Sequence, residues 1–178
     1  TKTILATTPA NPTGSMLTLD ELSSLSQLAQ EKGGWLLVDE IYQGLVYDQP
    51  DVTALALSDE VFVINSFSKY FAMTGWRLGW LVAPETAVSE IDKLAQNIYL
   101  APSTPAQHAA LAAFSPVTQA LLEERRVEFK ARRDFLRPEL ELLGFDFGYA
   151  SGGAFYLYAG SDRLAPDSFI LAENLLKD

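Results

Sequence analysis

Trp35–Leu36–Leu37–Val38–Asp39–Glu40 runs four apolar residues straight into two carboxylates, directly after Gly33–Gly34. A run this short, apolar without alternation and closed by charge, predicts a strand buried on both faces, the kind found inside a parallel sheet. Val61–Phe62–Val63–Ile64 repeats the pattern and ends in Asn65–Ser66–Phe67–Ser68–Lys69. Upstream, Thr3–Ala6 is β-rich and leads into Pro9–Ala10–Asn11–Pro12–Thr13–Gly14, a loop by composition. Between the first two strands, Thr18 and Glu21 have capping-box spacing, and Leu19, Leu22, Leu25, Leu28 and Ala29 follow at helical intervals until the two glycines stop them. Downstream, Leu78–Ala83 predicts a fourth strand closed by Pro84, and Glu85–Asn97 a helix. Strands alternating with helices through short loops give the α/β class, with a mostly parallel sheet flanked by helices.

From about Thr118 the pattern changes. Leu122, Phe129, Leu136 and Leu143 recur on one stripe of a long helix ended by Gly144, with Glu128 and Arg132 in the favourable i,i+4 order. The Glu/Arg run from Glu123 to Arg137 predicts a solvated face. Phe145–Ala159 alternates enough for two β segments turning at Ser151–Gly152–Gly153, and Ser168–Lys177 is helical. Residues 1–117 thus form the sheet-bearing part, and residues 118–178 a bridging helix and the start of a smaller α+β subdomain.

Composition removes several function classes. The 178 residues carry 13 Lys+Arg against 23 Asp+Glu, a net charge of −10, with no basic footprint for nucleic acid. The absence of cysteine excludes a disulfide scaffold, a Cys-based zinc site and a thiol nucleophile, and fits a reducing, cytoplasmic setting. The uncharged stretch Leu94–Leu122 is interrupted by Gln96, Asn97, Pro102, Pro105 and His108, so no membrane span is expected, and Thr1–Pro12 lacks the form of a targeting segment. His108 has no partner for a triad or a metal, and no phosphate-binding GxxxxGK or strand-linked GxGxxG occurs.

Open α/β sheets bind ligands beyond the carboxyl ends of their strands. Asn11 follows the first predicted strand, Asp39 and Tyr42 the second, and Ser66, Ser68 and Lys69 the third; Arg77 precedes the fourth. An amide, a carboxylate, a phenol, two hydroxyls, an amine and a guanidinium on one edge suit a small, anionic aromatic ligand with a ring nitrogen. Pyridoxal phosphate needs such parts: a lysine for its Schiff base, an acid at the pyridine nitrogen, and hydroxyls with an arginine fork for the phosphate. Adjacent strand residues point to opposite faces, so Asp39 takes the site role and Glu40 a structural one.

Asn11–Pro12–Thr13–Gly14, Asp39–Glu40–Ile41–Tyr42, Ser66–Phe67–Ser68–Lys69 and Gly75–Trp76–Arg77–Leu78–Gly79, in this order and spacing, resemble the class I/II pyridoxal-phosphate aminotransferases of fold type I. The Gly152–Gly153–Ala154–Phe155–Tyr156 segment also resembles that family's entry into its small domain. The resemblance implies that Lys69 bonds the cofactor and then moves the substrate proton, Asp39 pairs with the pyridine nitrogen, and Tyr42 and Asn11 hold the ring oxygen. Ser66 and Arg77, with Ser68 as helper, would bind phosphate, and the Asn11–Pro12 bond would be cis.

The family is longer than this chain. Its glycine/serine-rich phosphate loop and ring-stacking aromatic would precede Thr1, and its carboxylate-binding arginine would fall beyond Asp178. The resemblance therefore implies a central to C-terminal portion of an aminotransferase, inactive alone, binding pyridoxal phosphate weakly or not at all. Amino and 2-oxo acids are the implied substrates, and a homodimer the implied assembly, with Ile98–Thr104 as its candidate contact. A β-lyase or decarboxylase on the same scaffold, and an effector-binding module of a transcription regulator, are the rival readings.

Overall fold

The computed structural model describes residues 2–177. Its four strands lie in sequence order in one sheet: β1 (Thr3–Thr7), β2 (Trp35–Asp39), β3 (Phe62–Ser66) and β4 (Gly79–Val82). The first three are parallel, with Thr7, Asp39 and Ile64 abreast near their carboxyl ends. β4 runs antiparallel because Phe67–Leu78 holds only a 3₁₀ turn, Thr74–Trp76, and no crossover helix. The expected mostly parallel α/β sheet is observed, with one reversed edge strand. That reversal brings the start of β4 to the carboxyl edge of its neighbours, and Gly79 pairs with Ser66.

α1 (Leu19–Glu31) crosses from β1 to β2 and covers one face of the sheet. Its capping box forms as the sequence predicts: the Thr18 backbone N–H donates to Glu21 at 2.8 Å, and the Glu21 N–H to the Thr18 hydroxyl at 3.2 Å. Leu22 and Ala29 pack on Ala6, Leu36, Val38 and Val63 to make the main core. The other face is open, so the expected burial of β2 on both faces is corrected. Leu36 and Val38 are buried while Trp35 is not, and beside them Leu5 stands 67% exposed, with Ile64 and Leu81 also exposed. Trp35 and Trp80 are also exposed, Trp35 lying edge-on to Phe62 at 5.3 Å.

Four helices follow: α2 (Glu85–Ile98), α3 (Thr104–Ala113), α4 (Pro116–Leu142) and α5 (Ser168–Leu175). Ser115 caps α4, and Gly144 beyond its end adopts φ 102°, a left-handed value that favours glycine. Leu122 at the head of the predicted stripe is buried, whereas Leu136 and Leu143 are exposed.

Phe145–Ala159 is a second correction. In place of two paired β segments there is an extended strap, with one bridge from Asp146 to Gly160 and another from Val46 to Gly153. Alternation alone does not make strands where no neighbour runs alongside. The strap bonds to loops instead: Gly153 N–H to Gly14 O at 3.0 Å, Ala154 N–H to Leu45 O at 2.8 Å, and Tyr47 N–H to Gly152 O at 3.0 Å. The Glu/Arg run of α4 is likewise more than a solvated face. Glu128–Arg132 is the exposed pair expected, at 2.7 Å. Arg126, however, donates to Val46 O at 2.9 Å, and Arg133 donates to Ser151 O at 2.7 Å, pairs with Asp48, and lies over the Tyr47 ring at 4.9 Å.

Candidate functional site

The loop after β1 turns through two cis bonds, Thr8–Pro9 and Asn11–Pro12, the second as the resemblance implies. Gly14 N–H closes the turn on Ala10 O at 2.7 Å, and Asn11 stands exposed at its tip. Gly14 has φ +69°, and a Cβ there would lie 2.7 Å from Gly153 O, so both backbone conformation and space demand glycine. This close approach brings the strap against the first loop.

Asp39 ends β2 on the open face of the sheet, where its Oδ1 accepts the Ile41 N–H at 3.0 Å. The short turn that follows buries Tyr42, 2% exposed, whose hydroxyl meets that of Tyr156 at 2.5 Å. The two rings are edge-on, 5.5 Å apart, and Phe155 is edge-on to Tyr42 at 5.4 Å. Burial, the Tyr156 hydroxyl and the Asp39 charge push the Tyr42 phenol well above the ordinary tyrosine range, while the Asn11 side chain pulls it back.

Lys69 projects from the turn after β3. Its Nζ lies 5.6 Å from the Tyr42 ring centre and 5.8 Å from that of Phe155. Among the described residues neither Lys69 nor Asp39 is in an ion pair, so both charges remain available to a ligand. The Ser66 hydroxyl bonds that of Ser68 at 2.8 Å and receives the Ser68 N–H at 3.0 Å. Arg77 reaches the same edge through the reversed β4, but its exposed guanidinium donates to Thr74 O at 2.9 Å rather than to the serines. Its backbone is left-handed, φ 53°.

The structure thus gathers Asn11, Asp39, Tyr42 and Lys69 in one cluster, Ser66 with Ser68 in another, and sets Arg77 at the rim. Glu40, the neighbour of Asp39, is 1% exposed and accepts the Ala54 N–H at 2.7 Å, fixing the start of the 3₁₀ turn Ala54–Ala56. Its structural reading holds. His108 lies exposed on α3, outside the cluster. Sequence reasoning missed Phe155 and Tyr156 as site members: they were visible in the Gly152–Tyr156 segment, but nothing local says that a strap more than a hundred residues away packs on Tyr42.

A family model described as aminotransferase class I and II matches residues 1–177. The valine–pyruvate aminotransferase of Mycobacterium tuberculosis is 36% identical over 177 residues, covering 98% of this chain and 46% of that protein. The aspartate aminotransferase of Sulfurisphaera tokodaii is 38% identical over 161 residues, 89% of this chain and 40% of that one. Among solved structures, an aminotransferase from Mycobacterium tuberculosis superposes with TM-score 0.94 at 36% identity, over 99% of this chain and 46% of its own. The chain spans less than half the length of these relatives.

Proposed function

Because the chain belongs to the aminotransferase class I and II family, we infer that it carries the cofactor-binding core of a pyridoxal-phosphate enzyme moving an amino group between an amino acid and a 2-oxo acid. The observation that carries this reading is Lys69 set against Tyr42 and Phe155, without a counter-ion among the described residues, at the sheet edge that also holds Asp39. The aminotransferase names of the matched relatives favour transamination over the lyase and regulator readings.

The donor set fits pyridoxal phosphate. The group, when bound, supplies an electron-accepting ring that stabilises charge left at the substrate α-carbon. Asp39, at the end of β2, would pair with the ring nitrogen. Tyr42 and Asn11 orient the ring through its oxygen. Ser66, Ser68 and Arg77 offer two hydroxyls and a guanidinium to the phosphate. Lys69 would anchor the ring, and its amine would serve as the group that takes and returns the proton at the α-carbon. Amino and 2-oxo acids are the substrates. Residues 1–117 are read as part of the large cofactor domain and 118–178 as the bridging helix with part of the small one. The exposed Ile98–Thr104 stretch suits a homodimer contact. A cytoplasmic setting fits the lack of cysteine, and no helix among the described residues is long and apolar enough to cross a membrane.

Titration with pyridoxal phosphate, borohydride reduction and peptide mapping test this. The expected result is one adduct, on Lys69, abolished by Lys69→Ala. Asp39→Ala should weaken binding about tenfold or more, the scale of one charge-assisted hydrogen bond. Labelling scattered over several lysines would refute the reading.

A further inference from the structure

We propose that Tyr156 is a positioning residue that acts through Tyr42: its hydroxyl donates to the Tyr42 oxygen, so that the Tyr42 proton is left pointing at the ligand. The proposal rests on the cofactor reading above. A tyrosine hydroxyl has one proton and two acceptor lone pairs. Tyr42 is buried, and its oxygen has the Tyr156 hydroxyl at 2.5 Å on one side and the Asn11 side chain on another. If Tyr42 donated to Tyr156, no proton would remain for an anionic ring oxygen. With both neighbours donating, both lone pairs of the Tyr42 oxygen are filled and its own proton is left free for the ligand.

Tyr156 is held for this task from outside the cluster. Ala154 N–H bonds Leu45 O at 2.8 Å, the Tyr47 hydroxyl donates to Ala154 O, and Gly153 N–H bonds Gly14 O at 3.0 Å. The strap is therefore pinned to the loop that carries Tyr42 and to the loop that carries Asn11. Among the described residues, the charged and titratable groups facing Tyr42 are Asp39 from the end of β2, Lys69 from the turn after β3 and Tyr156 from the strap.

The test is a pH titration of the visible absorbance of pyridoxal phosphate bound to the full chain, with Lys69 attachment mapped separately. A donor aimed at the ring oxygen stabilises its negative charge and competes for it with the proton on the adjacent nitrogen, so losing that donor raises the midpoint. Tyr156→Phe keeps the ring that packs against Tyr42 and should raise it by about half a pH unit, as for part of one hydrogen bond. Tyr42→Phe should raise it further, and Tyr42→Phe/Tyr156→Phe should match Tyr42→Phe alone. An unmoved midpoint in Tyr156→Phe, or additive shifts in the double variant, overturns the proposal while the Lys69 adduct leaves the cofactor reading standing. No adduct on Lys69 in the unsubstituted chain overturns both. NMR of that chain, with no substitution, should show a tyrosine hydroxyl proton protected from exchange and close to both rings; two freely exchanging hydroxyls would also overturn the proposal.

Discussion

Asp39 and Glu40 are consecutive at the end of β2, and their carboxyls meet opposite surroundings. Asp39 opens onto the uncovered sheet face, while Glu40 is sealed beneath the Thr53–Ala56 turn. Burial raises the Glu40 pKa above its ordinary 4.5, with the Ala54 N–H and the Thr53 side chain offsetting part of the rise. Folding therefore favours the protonated form. The stability this group contributes is full below the ordinary value and is lost as pH rises through the raised one. Glu40→Gln keeps an acceptor for Ala54 and removes the titration. Relative to that variant, the natural chain should lose stability as pH is raised from 4.5, read by urea denaturation at stepped pH. A difference between the two that stays flat across that window would contradict the assignment. The division of labour itself was legible, since strand alternation alone separates the two side chains. The partner of Glu40 was not, because a backbone N–H fourteen residues on leaves no mark in the sequence.

At the scale of elements, the junction of three loops decides whether the cluster forms. A Cβ on Gly153 would lie 2.5 Å from Pro9 Cγ and 2.9 Å from Leu45 O, contacts that no rotamer relieves. Gly153→Ala should therefore cost about 1–3 kcal/mol, the usual range for overpacking, measured by denaturant unfolding, and should impair capture of pyridoxal phosphate. Arg132 and Arg133 make a second contrast. Arg132 meets only Glu128 at the surface, so Arg132→Ala should change stability by less than about 0.5 kcal/mol. Arg133 ties α4 to Ser151 O, Asp48 and the Tyr47 ring, so Arg133→Ala should cost about 1–3 kcal/mol in the same assay. Equal effects of the two would mean the strap is not held from α4. Elements with a local cause were readable: the Thr18–Glu21 box predicts α1, and four apolar residues predict β2. Elements that depend on a neighbour were not. The direction of β4 depends on what its connection can span, and the Phe145–Ala159 alternation reads as a hairpin only if a third strand is at hand.

Across the whole molecule, many large apolar side chains reach the surface. Ile98, Leu100, Leu111, Phe114 and Val117 are each more than half exposed, Leu100 at 82%, along the end of α2, α3 and the start of α4. Patches of this kind mark association surfaces. The chain is expected to scatter light as particles heavier than its 19.6 kDa monomer, and Ile98→Ser with Leu100→Gly to shift it toward that mass. Leu100 sits at φ 67°, so glycine there also relieves backbone strain, and stability should fall by no more than about 1 kcal/mol. A monomeric mass for the unsubstituted chain at every concentration would remove the basis for an interface on this side. The meeting of Gly14 with Gly153 also has a temporal side. The loops it joins are far apart in the chain, with the neighbouring Ser151–Thr13 bond spanning 138 residues. A contact so distant must close a long loop before it returns any stability, whereas α1 with its two strands, and α4 by itself, need only near neighbours. On the ribosome, the strands and the turn that carries Lys69 therefore emerge well before the strap, and Phe155 can reach the Lys69 side chain only when the last quarter of these residues has emerged.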